Sequence, residues 1–368
     1  MSLARDIADL GSSATKLDAV GSNLIINGAM QLAQRGTSAT TLSGSEIFRA
    51  DRFRVEQGSV TANNGTTEVS TDVPSGQGFT KSLKVTGGSS VSYGANGYTA
   101  INYRGEGQDF SQISHGTSSA KTVTISFWVK SSVTGTYSLN HTKYDGSTER
   151  FNVSEYTISQ ANTWEYKKIS VLGDTSVSAS DWIRLYWHLG GDSGHKGATA
   201  GSWVNGAATV RATSNQPDMI STNGATFFIT GVQMEVGDTA TDFEHRSFGD
   251  ELARCQRYFY NCAAASGLEE HIISGAMYDA NYIYGKIEFP VTMRTMPSLV
   301  QTSGSQYFQI YCAGSSNAID SITMLGSAQS NENFAMVRNT QAVSFTAGQA
   351  ANLQKKSASA AVAFDAEL

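Results

Sequence analysis

Tryptophan and tyrosine side chains are the residues of this chain whose types and positions best fit a binding function. The chain has 15 Tyr and 5 Trp in 368 residues. Sugars present apolar C–H faces with polar rims, so flat amphipathic rings beside polar groups suit them. Trp182 and Trp203 lie near a glycine-rich loop at 190–203, and long loops commonly carry contact residues. Both are therefore candidate glycan contacts.

A second group of aromatic residues lies near the carboxyl terminus. Tyrosine offers a rigid contact at small entropic cost, which suits recognition surfaces. It also fits cross-strand pairs of ordinary sheets, and both interpretations stay open. The candidate contacts in this region are Tyr278, Tyr282, Tyr284, Tyr307 and Tyr311.

Alternation along WIRLYWHL separates two kinds of tryptophan. A strand turns successive side chains to opposite faces, so Trp182 shares a side with Arg184, and Trp187 shares the other with Leu185. Trp187 is thus predicted to belong to the core. Trp164, in NTWEYKK, is likewise predicted to be structural.

Acidic residues show no catalytic arrangement. Glycoside hydrolysis needs two carboxylates roughly 5–10 Å apart across the sugar. Asp145, Glu149 and Glu155 lie close in sequence, as do Glu106 and Asp109, but nothing marks any two as a pair. The motifs G-x-S-x-G and H-E-x-x-H and the phosphate-binding loop are missing. We expect no enzyme, no catalytic residues, no cofactor and no metal site.

Charge and composition exclude several classes of protein. The net charge is −6 and no basic block occurs, so no nucleic-acid partner is expected. No apolar run reaches the ~20 residues that cross a bilayer, and the first residues lack a secretory signal, which predicts synthesis in a cytoplasm without membrane insertion. Cys255, Cys262 and Cys312 form no C-x-x-C pair and are expected to be reduced.

The first 20 residues predict a helix with an apolar seam. Steps of four and three residues are typical of the a/d positions of a coiled coil, which favours partner helices. A single amphipathic helix packed on its own domain remains the alternative. The seam consists of Leu3, Ile7, Leu10, Ala14 and Leu17.

From about residue 45 the pattern is one strand after another. In TVTISFWVK, apolar residues alternate with Thr124, Ser126, Trp128 and Lys130, which indicates a half-buried sheet. Turn signals between strands predict a β-sandwich, here a jelly roll, rather than an α/β fold. A short strand at Leu24–Ile26 with a turn at Asn27-Gly28 is also expected. The predicted strands include Phe53–Val55, Ser82–Thr86, Thr122–Lys130, Tyr137–Tyr144, Trp164–Val171, Ile183–His188 and Ala225–Val236.

The pattern changes at Gly249. A linker helix is predicted from Asp250, which would be its N-cap, and a β-rich tip domain follows. The predicted domains are an N-terminal attachment segment at 1–44, the sandwich at 45–248, and the helix and tip at 249–368. Glu251, Arg254 and Arg257 are candidates for polar pairing between chains. Tip strands are predicted at Ile283–Phe289, Tyr307–Tyr311, Phe334–Arg338 and Ala360–Phe364.

Three segments resemble phage tail fibres and receptor-binding proteins, including those of cyanophages. They are NLIINGAMQLAQRG at 23–36, the stretch at 229–260, and the terminal AVAFDAEL. The resemblance implies a virion protein with an N-terminal attachment region, a β-sandwich and a C-terminal tip. The stretches at 78–86, 122–131, 162–171 and 225–237 also resemble jelly-roll carbohydrate-binding modules.

Together these features predict a homotrimeric tail fibre that is synthesised in the host cytoplasm. Its N-terminus would attach to the phage tail or baseplate, and the rest would bind host cell-surface polysaccharide, with three copies raising avidity. Two alternatives stay open: a structural spacer without receptor binding, and a polysaccharide depolymerase.

Overall fold

A computed structural model of the chain describes residues 23–206, 210–264 and 268–368. The chain divides into two compact units between Ser247 and Phe248, and each unit has its own apolar core. The fold is all-β with short helical segments, as the sequence predicted. The predicted N-terminal seam lies outside the described residues, namely Leu3, Ile7, Leu10, Ala14 and Leu17.

The first unit contains thirteen strands and a 3₁₀ helix at Gly107–Ile113 within its described residues. The strands, in chain order, are β1 (Thr40–Thr41), β2 (Glu46–Phe48), β3 (Phe53–Asn63), β4 (Thr66–Ser70), β5 (Ser82–Thr86), β6 (Val91–Glu106), β7 (Val123–Ser131), β8 (Gly135–Tyr144), β9 (Glu149–Ile158), β10 (Glu165–Val171), β11 (Trp182–Gly191), β12 (Trp203–Asn205) and β13 (Thr226–Val236).

These strands form a sandwich of two antiparallel sheets. The six-stranded sheet has the order β1-β4-β5-β13-β7-β10, and the seven-stranded sheet has the order β12-β9-β8-β11-β6-β3-β2. Both sheets contribute to one core: Ile125 and Phe127 come from β7, and Leu185 and Trp187 from β11. The period-two pattern therefore gave the correct inner faces, and Trp187, which is 0% exposed, is confirmed as core.

The segment before β1 packs on the sandwich without forming the predicted strand at Leu24–Ile26. Buried Asn23 replaces strand pairing, because its side-chain oxygen accepts hydrogen bonds from the backbone N–H groups of Ile25 (2.9 Å) and Met234 (3.1 Å). The predicted turn is present, with Asn27 at a φ of 58°. One backbone bond to β13 does form, from the Leu24 N–H to the Met234 carbonyl at 2.9 Å. No strand forms, because the Asn23 side chain accepts from the neighbouring N–H groups that a strand would pair.

The second unit begins with helix α1 (Phe248–Gln256). The helix starts two residues before Asp250, so Asp250 lies in its first turn and the predicted N-cap is wrong. An acidic residue there still interacts favourably with the helix dipole.

The strands of the second unit, in chain order, are β14 (Phe259–Ala263), β15 (His271–Met277), β16 (Ile283–Glu288), β17 (Ser298–Thr302), β18 (Phe308–Cys312), β19 (Ser315–Ile319), β20 (Ile322–Met324), β21 (Phe334–Asn339), β22 (Ala350–Lys355) and β23 (Ala361–Asp365). They form a three-stranded sheet of order β14-β23-β17 and a seven-stranded sheet of order β19-β18-β22-β15-β16-β21-β20.

All three cysteines are free thiols: Cys255 and Cys312 are buried and Cys262 is half-buried. Across the described ranges, no helix combines the length and the apolar character that a bilayer crossing would need.

Candidate functional site

An open cleft of about 370 Å³ lies on the outward side of the six-stranded sheet. Its two main aromatic residues are Trp128 on β7 and Tyr166 on β10, which stand directly opposite each other in the antiparallel register. Their ring centroids are 5.4 Å apart with an angle of 45° between the ring planes. Tyr166 is 42% exposed and Trp128 is half-buried, so both rings present surface to the cleft.

A β-bulge in β13 shapes the floor of the cleft. Thr230 pairs with Trp128, but the next paired residue is Gln233, so Gly231 and Val232 form the irregularity. Gly231 has a φ of 62°, and a Cβ there would lie 2.6 Å from the ring of Phe79. Only glycine fits this backbone and this close approach, and the bulge thereby lets Phe79 pack beside the sheet.

The wall of the cleft is a cluster of three rings. Phe79 lies 5.0 Å from Phe243 and 5.2 Å from His245, measured between ring centroids. The segment that carries Phe243 is fastened to β13, because the Glu244 backbone N–H donates to the Gln233 side chain at 2.8 Å. The cleft is therefore held by packed and hydrogen-bonded groups.

Several polar groups at the cleft are available to form hydrogen bonds with a ligand. Gln77 and Asp242 line the cleft and are exposed. Within the described part of the chain, neither side chain forms a hydrogen bond or an ion pair, nor do the Trp128 indole N–H and the Tyr166 hydroxyl. Two aromatic planes, two ring donors, an amide and a carboxylate thus border one open space. This set can stack on a sugar ring and hydrogen-bond its hydroxyls.

Sequence reasoning did not select Trp128 or Tyr166, although a signal was present. The alternation in β7 puts Trp128 on the polar side with Ser126 and Lys130, where a large aromatic ring has no core to fill. An aromatic residue on the solvent side of a strand was the sign of this site.

Trp182, a predicted glycan contact, is enclosed in the structure. It is 6% exposed, with the guanidinium carbons of Arg184 and Arg104 at 4.2 Å and 4.6 Å from its ring centroid. Tyr144 stacks on it at 5.0 Å and 25°. Its ring is therefore largely covered by protein side chains, and its role as a glycan contact stays a prediction.

Trp203, the other predicted contact near the loop, has a structural environment. Its indole N–H donates to the Leu172 carbonyl at 2.7 Å, and its ring lies edge-on to His115 (5.5 Å) and His141 (5.1 Å). Trp203 is half-buried, so part of its surface is still reachable, and its role as a contact stays a prediction.

The structure brings three of the five tip tyrosines together. Tyr278 is 70% exposed and stacks on Tyr284 at 4.7 Å and 16°, while Tyr282 lies under the Arg338 guanidinium at 4.7 Å. These three residues surround the β15–β16 hairpin.

The other two tip tyrosines lie elsewhere on the same sheet. Tyr311, on β18, is 47% exposed, and Tyr307 precedes β18 and packs on the core of the second unit. Two strands, β22 and β15, separate β18 from β16. The five tyrosines therefore do not form one surface patch, and their contact with a glycan stays a prediction.

The residues proposed for pairing between chains lie in or just after α1. Glu251 and Arg254 belong to the helix, and Arg257 follows it. Arg254 is exposed, whereas Glu251 and Arg257 are half-buried. Pairing between chains stays a prediction.

The acidic residues considered for catalysis have structural partners. The Asp145 carboxylate accepts hydrogen bonds from the backbone N–H groups of Ser147 and Thr148, and these hold the pKa of Asp145 below its usual range. Glu149 forms an ion pair with Arg211. In the ranges that the structure describes, no three His, Cys, Asp or Glu side chains are grouped to hold a metal ion.

Comparisons with known proteins give distant structural similarities. No protein-family model and no curated protein sequence matches the chain. The enzymatically active domain of tailspike protein 4 of bacteriophage CBA120 is 12% identical, with a TM-score of 0.33, over 58% of this chain and 21% of that one. A CBM22 xylan-binding domain from Paenibacillus barcinonensis is 13% identical, with a TM-score of 0.30, over 60% of this chain and 98% of that one.

A third similar structure is TmCBM61 in complex with β-1,4-galactotriose. It is 12% identical, with a TM-score of 0.28, over 58% of this chain and 99% of that one. Identities and TM-scores this low carry no conclusion about the ligand of this chain.

Proposed function

We propose that this protein is a non-enzymatic phage tail-fibre protein whose sandwich binds host surface polysaccharide in the Trp128–Tyr166 cleft. In this proposal the N-terminus attaches to the phage tail or baseplate, and three chains assemble in the virion. The observation that carries the binding function is the partly exposed Trp128–Tyr166 pair bordered by unengaged hydrogen-bonding groups.

The chemistry of the cleft favours a neutral saccharide. Asp242 is a carboxylate with no cationic partner among the described residues, so it would repel an acidic sugar. It would accept hydrogen bonds from sugar hydroxyls, which are donors. The Trp128 and Tyr166 rings would cover the apolar face of the same sugar.

The virion role is supported by the resemblance of residues 23–36 and 229–260 to phage tail fibres. The second of these segments includes Gly231 and Phe243, which build the floor and the wall of the cleft. The part of the chain that resembles tail fibres therefore contributes to the proposed binding site.

A glycan array followed by calorimetry with the full chain tests the binding function. We expect a neutral oligosaccharide to bind, and Tyr166→Ala to lower its affinity about tenfold or more, because a central aromatic contact is lost. Tyr311→Ala is the competing test, since Tyr311 has similar exposure and is a candidate glycan contact of the second unit. Unchanged affinity in Tyr166→Ala would refute the cleft, and a loss in Tyr311→Ala would move recognition to the tip.

A further inference from the structure

Two arginines stand directly opposite each other on the outward side of the seven-stranded sheet. Arg104 on β6 and Arg184 on β11 are partners in the antiparallel register. Like charges in directly opposite positions destabilise a sheet, so this arrangement needs an explanation. We call these two residues the arginine pair.

The arginine pair has no carboxylate partner within the part of the chain that the structure describes. Among the described residues, no acidic side chain lies within ion-pair distance, 4.0 Å, of either guanidinium. The nearby Glu56 is engaged by Arg54 at 3.0 Å.

Three further acids lie near the pair, and two of them also have partners. Glu149 is paired with Arg211, and Glu106 accepts a hydrogen bond from Gln108 at 3.0 Å. Asp181 is exposed and adds a more distant attraction on Arg104. Despite burial, the Tyr186 hydroxyl and the carboxylates of Glu56 and Glu149 raise the pKa of Arg184. The uncompensated positive charge of the pair therefore lies mainly at Arg104.

The two guanidinium groups are held in place with their ends open. Both pack on the ring of Trp182, because the face of an aromatic ring attracts a cation placed over it. Arg184 also donates to the Tyr186 hydroxyl at 3.0 Å. The Nε atoms of both arginines are buried, whereas the terminal nitrogens of Arg104 have neither a partner among the described residues nor full burial. The terminal N–H groups of the pair are therefore held in position and face solvent.

Burial and the charges of Arg184 and Arg54 lower the pKa of Arg104 to about 10. Arg104 is therefore still a cation at neutral pH. An anion beside it would offset both the burial and the repulsion that lower this pKa.

We propose that the arginine pair is a second saccharide site, which binds the carboxylate of an acidic polysaccharide. A planar carboxylate matches the forked donors of a guanidinium, and two such groups can share one anion. This site is separate from the cleft, whose Asp242 disfavours the same ligand. The inference deepens the proposed function, because it assigns a class of host polysaccharide to the opposite face of the sandwich.

A nucleic acid fits this site less well than an acidic sugar. Binding a phosphate backbone takes a row of cations along an extended surface. The chain has a net charge of −6, and the neighbouring Arg54 and Arg211 are already paired with acids. One isolated pair of cations suits one anionic group.

Calorimetry of the full chain with oligogalacturonides, and with neutral galactan oligosaccharides as comparison, tests the site. We expect the acidic probe to bind, and Arg104→Gln and Arg184→Gln each to weaken it about tenfold or more, because a charge-assisted contact is lost. Arg104→Lys should recover part of the affinity, since it keeps the charge without the fork. If a glutamine variant does not fold, Arg104→Lys and Arg184→Lys still give a graded loss.

The matched control is Arg338→Gln. Arg338 also lies over an aromatic ring, that of Tyr282, and also has a buried Nε without a partner, but it belongs to the second unit. It should leave the acidic probe bound as in the parent protein. No binding of oligogalacturonides, equal loss in Arg338→Gln, or equal competition by single-stranded DNA would overturn the proposal. Loss of the neutral probe in Tyr166→Ala reports on the cleft separately.

Discussion

The two outward faces of the sandwich use aromatic residues in opposite ways. On the six-stranded sheet, Trp128 and Tyr166 keep ring surface open to solvent, and the unpaired charge nearby is the carboxylate of Asp242. On the seven-stranded sheet, Trp182 is covered, and the guanidiniums of Arg104 and Arg184 form no ion pair with any described residue. On the six-stranded sheet the rings themselves would contact the ligand, whereas on the seven-stranded sheet the ring of Trp182 supports the arginines that would contact it.

This difference shows that exposure, rather than residue type, separates a binding ring from a structural one. Trp182 lies on the outward side of its strand, as does Trp128. Long cationic side chains from neighbouring positions cover Trp182, whereas the bulge at Gly231 keeps the space beside Trp128 open. The two faces should therefore respond to different ligands while sharing one core.

Among the single substitutions, Trp187→Ala should have the largest effect, because it should weaken both faces of the sandwich together. Trp187 is fully buried between the sheets. Its ring centroid lies 6.3 Å from that of Phe53 and 5.7 Å from that of Phe127. Removing a buried aromatic ring costs about 3–5 kcal/mol of stability. We expect a loss of this size in denaturant unfolding of the first unit. A loss below about 1 kcal/mol would show that the sheets do not depend on a common core.

Acid should also destabilise the first unit strongly, mainly through the seven-stranded sheet and its loops. His141 and His188 are buried on that sheet, and burial holds the pKa of each well below its usual value. Burial also lowers the pKa of His115 to about 4, and its ring accepts a hydrogen bond from the Asp174 N–H at 3.2 Å. These histidines are neutral in the folded protein, so protonation favours the unfolded chain.

The stability from these histidines is therefore complete above about pH 6.5 and is lost as the pH falls toward about 4. Each contributes a slope of about 1.4 kcal/mol per pH unit in that interval. Denaturant unfolding at a series of pH values measures it. His188→Gln should reduce the slope, whereas a curve that stays flat down to about pH 5 would contradict the assignment of neutral buried rings.

Trp128→Ala should show that the two faces of the sandwich bind different ligands. The loss of its ring should weaken neutral saccharide binding by about 2 kcal/mol, or about thirtyfold, and leave oligogalacturonide binding unchanged. The half-buried position predicts a small change in stability. Calorimetry with both probes on the same variant checks this, and parallel loss of both ligands would mean that the faces are one site.

The sequence predicted the strands and the inner faces well, because period-two alternation is a local property. The strand at Ser82–Thr86 has the predicted bounds, and the core position of Trp187 followed from its neighbours alone. The binding surfaces could not be predicted in this way. Whether Trp182 is covered depends on Arg104, which is 78 positions away in sequence and becomes its neighbour through the pairing of β6 with β11.

The cleft also depends on contacts between residues far apart in the sequence, which local patterns do not predict. Phe79 and Phe243 meet across a bulge whose position no alternation pattern marks. The outlying signal, an aromatic residue on the polar side of β7, was readable from the sequence. It becomes a site only through the rings that long-range pairing brings beside it.

The smallest expected effect is the change in stability caused by Arg104→Gln, and it is specific to the arginine pair. Arg104→Gln removes one of two like charges that stand directly opposite in the sheet, and such pairs are destabilising. The variant should therefore be about as stable as the parent protein or slightly more stable, although it loses acidic saccharide binding. A residue kept for packing would give the reverse result, a less stable protein with unchanged affinity. Adding oligogalacturonides should raise the unfolding midpoint of the parent protein more than that of Arg104→Gln, because a bound anion offsets the repulsion only where both arginines remain.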